Sequence, residues 1–248
     1  MFETMLREWR SRRGMSQMTL AMAADVSPRH LSFLESARAR PSTAMVLRLA
    51  EALALPLRER NGLLVAAGFA PQFGDSDWQS PQMAEIRQAA QLLLEAHSPY
   101  PALVLDAAFG ILDANAGALR LVAMTPGAGI GSNLVDLVYR PGPVRDAIVN
   151  WEDVAGYLLL RLREASRRHG PSSAATQVLA RARRQPGASA LDQGAMSPRG
   201  TVLLPLEFRI DGEITRWFTT VTSFGAPQDA LAEEVTIEQF HPVASQSA

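Results

Sequence analysis

Apolar positions fall into two regimes along this chain. Up to about residue 68 they recur three and four apart in short bursts, each closed by a turn residue, the pattern of amphipathic helices in a small bundle. The first burst, residues 3–13, turns Leu6 and Trp9 inward and stops at Gly14, which suits a left-handed cap. Ser16 then offers an N-cap for a helix over 17–23, and Ser27 followed by Pro28 marks a third helix running to about residue 36. Leu31 and Leu34 share its inner face, leaving Pro28, Arg29, His30, Ser32 and Phe33 turned towards solvent or a partner. Ser42 opens a fourth helix with Met45, Val46, Leu49 and Leu53, and a fifth covers 57–67 before Gly68. Five helices with tight turns make a bundle of about 65 residues.

Beyond a Pro, Gly, Ser and Asp-rich stretch at 71–81, which reads as a linker, the pattern changes. Residues 82–97 keep helical spacing. Residues 102–105 and 110–112 are short apolar strand candidates around the turn Asp106-Ala107-Ala108-Phe109, and Asp113 or Asn115 starts a helix carrying Leu119, Leu121 and Val122. Asn150-Trp151-Glu152-Asp153 reads as a capped helix start with two acids in its first turn. A further helix is predicted over 173–184, a loop over 185–200, and three strands over 201–210, 214–223 and 234–240. Asp211-Gly212 supplies the hairpin turn between the first two strands, and residues 244–248 form a frayed tail. The boundaries expected are therefore 1–70, a linker at 71–81, and a second domain at 82–243.

Composition narrows the function. The 248 residues are 47% apolar and 20% charged, enough to bury a core and unlike a disordered chain. Zero cysteines exclude disulfides, thiolate nucleophiles and Cys-based metal sites, and no metal site is expected. No apolar run reaches the roughly 18 residues of a membrane helix, and no signal-type stretch opens the chain, so a cytoplasmic protein is expected. A net charge of −1 conceals a division: residues 1–74 hold 10 Arg against 6 acidic residues, and the remainder 14 Arg against 19. The head is thus +4 and the rest −5, an asymmetry that favours a polyanion partner for the head. All basic residues are Arg, which reads as coding bias.

The run Gly14-Met15-Ser16-Gln17, Leu20-Ala21, Val26-Ser27, Leu31-Ser32-Phe33-Leu34-Glu35 and Arg40-Pro41-Ser42 resembles the phage-repressor type of helix-turn-helix, the XRE family. The resemblance implies a second helix laid in the major groove of double-stranded DNA, with its N-terminal residues at the base edges. Arg29 is then the expected base reader, because a guanidinium grips guanine O6 and N7 together, and Phe33 is placed to meet a thymine methyl. Gln17, His30 or Ser32, and Arg38 and Arg40 are expected on phosphates, and Pro28 joins the contact set. Arg10 and Glu35, at positions that pair in relatives of the fold, are assigned to an internal ion pair. Ala37 stands where this family often has Gly. The alternatives are a bundle that only binds protein, a Phe33 covered by a neighbouring domain, and Arg residues that are merely solvated.

Strand, turn, strand and Asn-capped helix open a PAS-type sensor fold. The closing run Trp217-Phe218-Thr219-Thr220, Phe224-Gly225, Gln228-Asp229 and Glu238-Gln239-Phe240-His241-Pro242 resembles the MmyB-like ligand-binding domain. The whole fold expected is α+β: an N-terminal all-α five-helix helix-turn-helix domain and a C-terminal PAS-like α/β sensor domain with an antiparallel sheet. This second resemblance implies an apolar cavity and a fatty-acid-like effector, with no other cofactor. Val104, Leu112, Leu134, Leu137, Leu158, Phe208 and Trp217 are the candidate wall residues, although residues of this kind are more often ordinary core. An anionic head group would need Arg or backbone donors. The protein expected is a dimeric, sequence-specific transcription regulator on a palindromic operator; the alternative is a regulator whose second domain serves protein interaction or dimerisation without a ligand. Enzyme motifs are missing. Gly127, Gly129 and Gly131 lead to Ser132 where a dinucleotide fingerprint needs its third Gly, and no nucleophile elbow, H-E-x-x-H or P-loop occurs.

Overall fold

The computed structural model describes residues 1–191, 203–210 and 212–243. They form two compact units: Met1–Ser76 with Arg167–His169 and Ala226–Glu233, and the rest of the described chain.

In the first unit five helices follow one another: α1 (Phe2–Arg12), α2 (Gln17–Ala23), α3 (Pro28–Glu35), α4 (Thr43–Ala52) and α5 (Leu57–Ala66). Serines start three of them: Ser16, Ser27 and Ser42 accept the backbone N–H of Thr19, His30 and Met45 at 3.0, 3.1 and 3.2 Å. One device ends all five. The residue after each C-cap, Gly14, Asp25, Ala37, Ala54 and Gly68, has a φ of +65, +51, +59, +49 and +88°. The following N–H reaches back five residues, as in Met15 to Arg10 at 3.1 Å, Arg38 to Phe33 at 2.8 Å and Leu55 to Ala50 at 2.9 Å. These are Schellman caps, which normally favour Gly at the left-handed position. Here only two of the five are Gly, and Ala37 resolves into a strained turn rather than a continued helix. Leu6, Leu20, Leu31, Leu34, Val46, Leu49, Leu63 and Leu64 are fully buried between the helices, with Trp9 beside them.

The stretch read as a linker is held by hydrogen bonds. Asn61, buried on α5, donates to the Phe73 carbonyl at 2.9 Å and accepts the N–H groups of Gln72 and Phe73. Pro56 gives α5 no side-chain cap; the Glu233 carboxylate takes the Leu57 N–H at 2.7 Å in its place.

The second unit is a five-stranded sheet with helices. A 3-10 turn at Pro81–Met83 leads into α6 (Ala84–Ala96). Then come β1 (Ala102–Leu105), β2 (Ile111–Ala114), α7 (Ala116–Val122), α8 (Leu134–Tyr139) and α9 (Pro143–Ala147). α10 (Trp151–His169), α11 (Ala174–Arg183), α12 (Ala188–Leu191), β3 (Leu206–Ile210), β4 (Glu213–Ser223), α13 (Ala230–Glu234) and β5 (Thr236–Pro242) complete the order, the last turn of α10 and most of α13 counting with the first unit. The strand order is β2-β1-β5-β4-β3, every neighbouring pair antiparallel. Residues opposite one another share a face. Leu103, Glu238 and Val221 therefore lie on one side with Phe240, Thr219, Leu206 and Phe208, while Val104, Ile237 and Thr222 lie on the other. Helices α8, α10 and α11 bury Val135, Tyr139, Ala155, Leu159, Leu162 and Val178 in one core with Leu103, Phe208 and Phe240.

Local signals and structure differ at a few points. Asn115, not Asp113, caps α7: its Oδ1 takes the N–H of Ala118 and of Ala102. Asn150 does not cap α10; its amide pairs with Pro205 O and Glu207 N at 2.8 and 3.0 Å and so ties β3 to the start of the helix. The expected first closing strand is shorter, beginning at Leu206, and the last begins at Thr236 because α13 occupies the preceding turn. The loop expected over 185–200 contains α12. Residues 192–202, Asp211 of the hairpin signal and the tail 244–248 lie outside the described residues.

Candidate functional site

Helix α3 carries the first candidate site. At about 100° per residue, Leu31, Leu34 and Glu35 fall in one buried arc of about 100°, with Arg29 and Phe33 opposite. Pro28, Arg29, Arg38 and Arg40 are exposed, whereas His30, Ser32 and Phe33 are partly covered. Arg29 lies over the Phe33 ring, 5.4 Å from its centroid, so the two expected readers form one cation–π pair one turn apart. Gln17 is placed differently from a simple phosphate contact. Its side-chain amide donates to Glu35 at 2.7 Å, which leaves its backbone N–H at the start of α2 as the group facing outward chemistry.

Behind α3 sits the pair assigned from sequence. Arg10 holds both Glu35 oxygens, Nε to Oε1 at 2.6 Å and Nη2 to Oε2 at 2.9 Å, and Arg7 donates to the Glu35 carbonyl at 2.6 Å. Glu35 is 3% exposed. Burial opposes its charge, but hydrogen bonds from Arg10 and Gln17 outweigh that and hold the carboxyl below its ordinary value. The pair fixes the base of α3 against α1 and α2 and keeps this acid away from a polyanion.

The second candidate site is a cavity of about 330 Å³ in the second unit. It lies between the inner face of the sheet, α7, α8 and α10, with Leu203, Leu204 and Pro205 along one side. Of the wall residues expected from sequence, Leu134, Leu137, Leu158 and Phe208 line it and Val104, Leu112 and Trp217 do not. Val104 is on the opposite face of β1, paired with Ile237. Leu112 alternates away from buried Ile111. Trp217 shares the inner face midway along β4, but it stands opposite Pro242 at the end of β5, its ring 5.9 Å from Tyr100. Sequence reasoning did not find Tyr157, Arg161, Glu238 and Phe240, which also line the cavity. Arg161 Nη1 donates to Glu238 Oε2 at 2.8 Å, with side chains 20% and 7% exposed, and the guanidinium lies 5.0 Å from the Phe109 ring centroid. The signal for Glu238 was an acid two residues before Phe240 on the inward period of a strand.

The glycine-rich stretch at 127–131 is a loop between α7 and α8, with Gly127 and Gly131 at positive φ, and the sheet is antiparallel rather than a parallel dinucleotide-binding unit. Among the described residues no cluster of His, Asp or Glu could hold a metal ion, and no helix is long and apolar enough to cross a membrane.

A bundle that leaves the Arg29 side of α3 open behind a capped turn, joined in one chain to a sheet domain with an apolar cavity, fits a DNA-binding regulator with a ligand-binding domain. Family comparison gives the same two parts. Residues 4–63 match a helix-turn-helix domain, and residues 86–248 match the MmyB-like transcription regulator ligand binding domain. The chain belongs to the MmyB-like transcription regulators. No curated protein matches it.

Proposed function

We propose that this regulator works as a homodimer that reads a palindromic operator through α3 and responds to a small apolar effector held in the cavity. The second unit is taken as PAS-like, a reading its antiparallel 2-1-5-4-3 strand order supports. The observation that carries the proposal is the cavity itself. Among the described residues lining it only Arg161 and Glu238 are charged, and the rest of that lining is almost wholly apolar. Its volume accepts on the order of ten methylene-sized groups at about 30 Å³ each, the length of a medium-chain fatty-acid-like molecule. A dimerisation module without a ligand would fill this space with side chains.

Arg29 reads bases, with Phe33 on a thymine methyl. Pro28, His30, Ser32, Arg38, Arg40 and the Gln17 backbone set the register on phosphates. An effector that binds one dimer arrangement more tightly shifts the two α3 helices towards or away from the roughly 34 Å that half-sites one turn apart require. The protein is a binder rather than a catalyst and acts in the cytoplasm, where its DNA is. In a mobility-shift titration, Arg29→Ala should weaken operator binding by roughly 5- to 150-fold, the 1 to 3 kcal/mol of a bidentate guanine contact, and leave non-specific binding nearly unchanged. Unchanged operator affinity would remove Arg29 as reader. Ten-carbon amphiphiles should alter operator affinity, and none doing so would leave the cavity without an effector role.

A further inference from the structure

The cavity wall carries its own head-group chemistry. Building on the proposal that an apolar effector occupies the cavity, we infer that the Arg161–Glu238 pair selects an effector with a neutral polar head, one that both donates and accepts hydrogen bonds, and rejects a carboxylate.

A carboxylate head needs an uncompensated cation or a set of aimed donors. Among the described residues Arg161 is the one cation lining the cavity, and its charge is already met at 2.8 Å by Glu238. An incoming carboxylate would either share Arg161 with a second carboxylate at close range or displace Glu238. Displacement would strand a buried acid, because Glu238 is set in the middle of β5 between Leu103 and Val221 and is 7% exposed. Like charges in a low-dielectric wall repel strongly. A neutral head meets the opposite situation. The guanidinium presents N–H donors beyond the Nη1 used on Glu238, the Glu238 carboxylate presents acceptor lone pairs, and both lie at one place in the wall. A primary amide or a hydroxyl can accept from the first and donate to the second without adding charge. Tyr157, on α10 one turn before Arg161 and in the same wall, adds a phenol that serves either role.

The experiment compares ligands of one chain length on the intact protein by calorimetric titration at pH 8, where the acid is ionised: decanamide, decanol and decanoate. Wild-type protein should bind decanamide or decanol at least 10-fold more tightly than decanoate. Glu238→Gln, which removes the charge and keeps the size, should raise decanoate affinity at least 10-fold and so narrow or reverse the preference for decanamide. Decanoate binding wild type as tightly as the neutral ligands overturns the inference, and does so without any variant. Decanoate affinity that stays unchanged in a folded Glu238→Gln protein overturns it as well. If none of the three ligands binds, the apolar-effector reading falls along with it, an outcome separable from the other two because those keep a bound ligand.

Discussion

Arg10→Met is the substitution with the best-defined effect on the DNA-binding head. Methionine keeps an aliphatic stem at this position of α1 and removes the guanidinium. Glu35 then loses two of its three side-chain donors, those at 2.6 and 2.9 Å, and keeps only the Gln17 amide at 2.7 Å. Removing one partner of a buried ion pair costs roughly 3 to 5 kcal/mol. Arg10 is 16% exposed and Arg7 remains close, so about 3 kcal/mol, the lower end, is expected. Hydrogen exchange of the α3 amides isolates the head from the rest of the chain, and that loss should speed their exchange by roughly 150-fold at pH 7. The acid dependence has a definite sign. In wild type the lowered carboxyl contributes stability that is fully present above its unfolded value of about 4.3 and is lost as pH falls through the folded one. In Arg10→Met, burial without its main donor raises the carboxyl, which takes up its proton earlier, so the gap between the two proteins should narrow from pH 7 towards pH 4. Arg10→Met/Glu35→Leu should recover at least half of the loss. An acceleration below about fivefold at pH 7, or a gap that widens in acid, would refute this account of the pair.

Ala37→Gly should stabilise the head by about 0.5 to 1 kcal/mol, since a left-handed non-Gly residue costs roughly 1 to 2 kcal/mol and Gly returns part of that in entropy; Ala54→Gly should act alike, and urea titration showing both to be destabilising would contradict the strain argument. His169 is held neutral, burial first and the neighbouring Arg168 next pushing it down to about 4. The unfolded chain protonates it near 6.5, so stability should be full above that pH and fall between about 6.5 and 4, by on the order of 1 to 3 kcal/mol. His169→Phe should flatten this part of the pH profile in thermal melts, and an unchanged slope would place the dependence elsewhere. Operator affinity should fall steeply with salt, because the head holds the excess of Arg; a flat salt dependence would contradict phosphate contacts by the head.

How much of this was legible follows from the range of each interaction. The helices of the head were readable almost residue by residue because their ends are local: Ser16, Ser27 and Ser42 cap from three residues away, and Gly14 and Gly68 stop the chain where they stand. Ala37 and Ala54 carry no such signal, since packing on either side imposes their φ. The short helices α8, α9, α12 and α13 were not foreseen, as stretches of four to six residues are held by burial and not by propensity.

The sequence by itself determined the two-part order, the basic head, the face of α3 that carries Arg29 and Phe33, and the alternation of the closing strands. Each of these depends on residues within a turn or two of one another. Only the tertiary structure decided which apolar residues surround a cavity and which are plain core. Val104 and Leu103 are adjacent and equally apolar, and pairing of β1 with β5 puts them on opposite faces. It also decided that Arg161 meets Glu238 across 77 positions, because helix α10 crosses the sheet where β5 exposes its one inward acid. Contacts between residues so far apart are set by how strands register and helices pack, which no local spacing encodes.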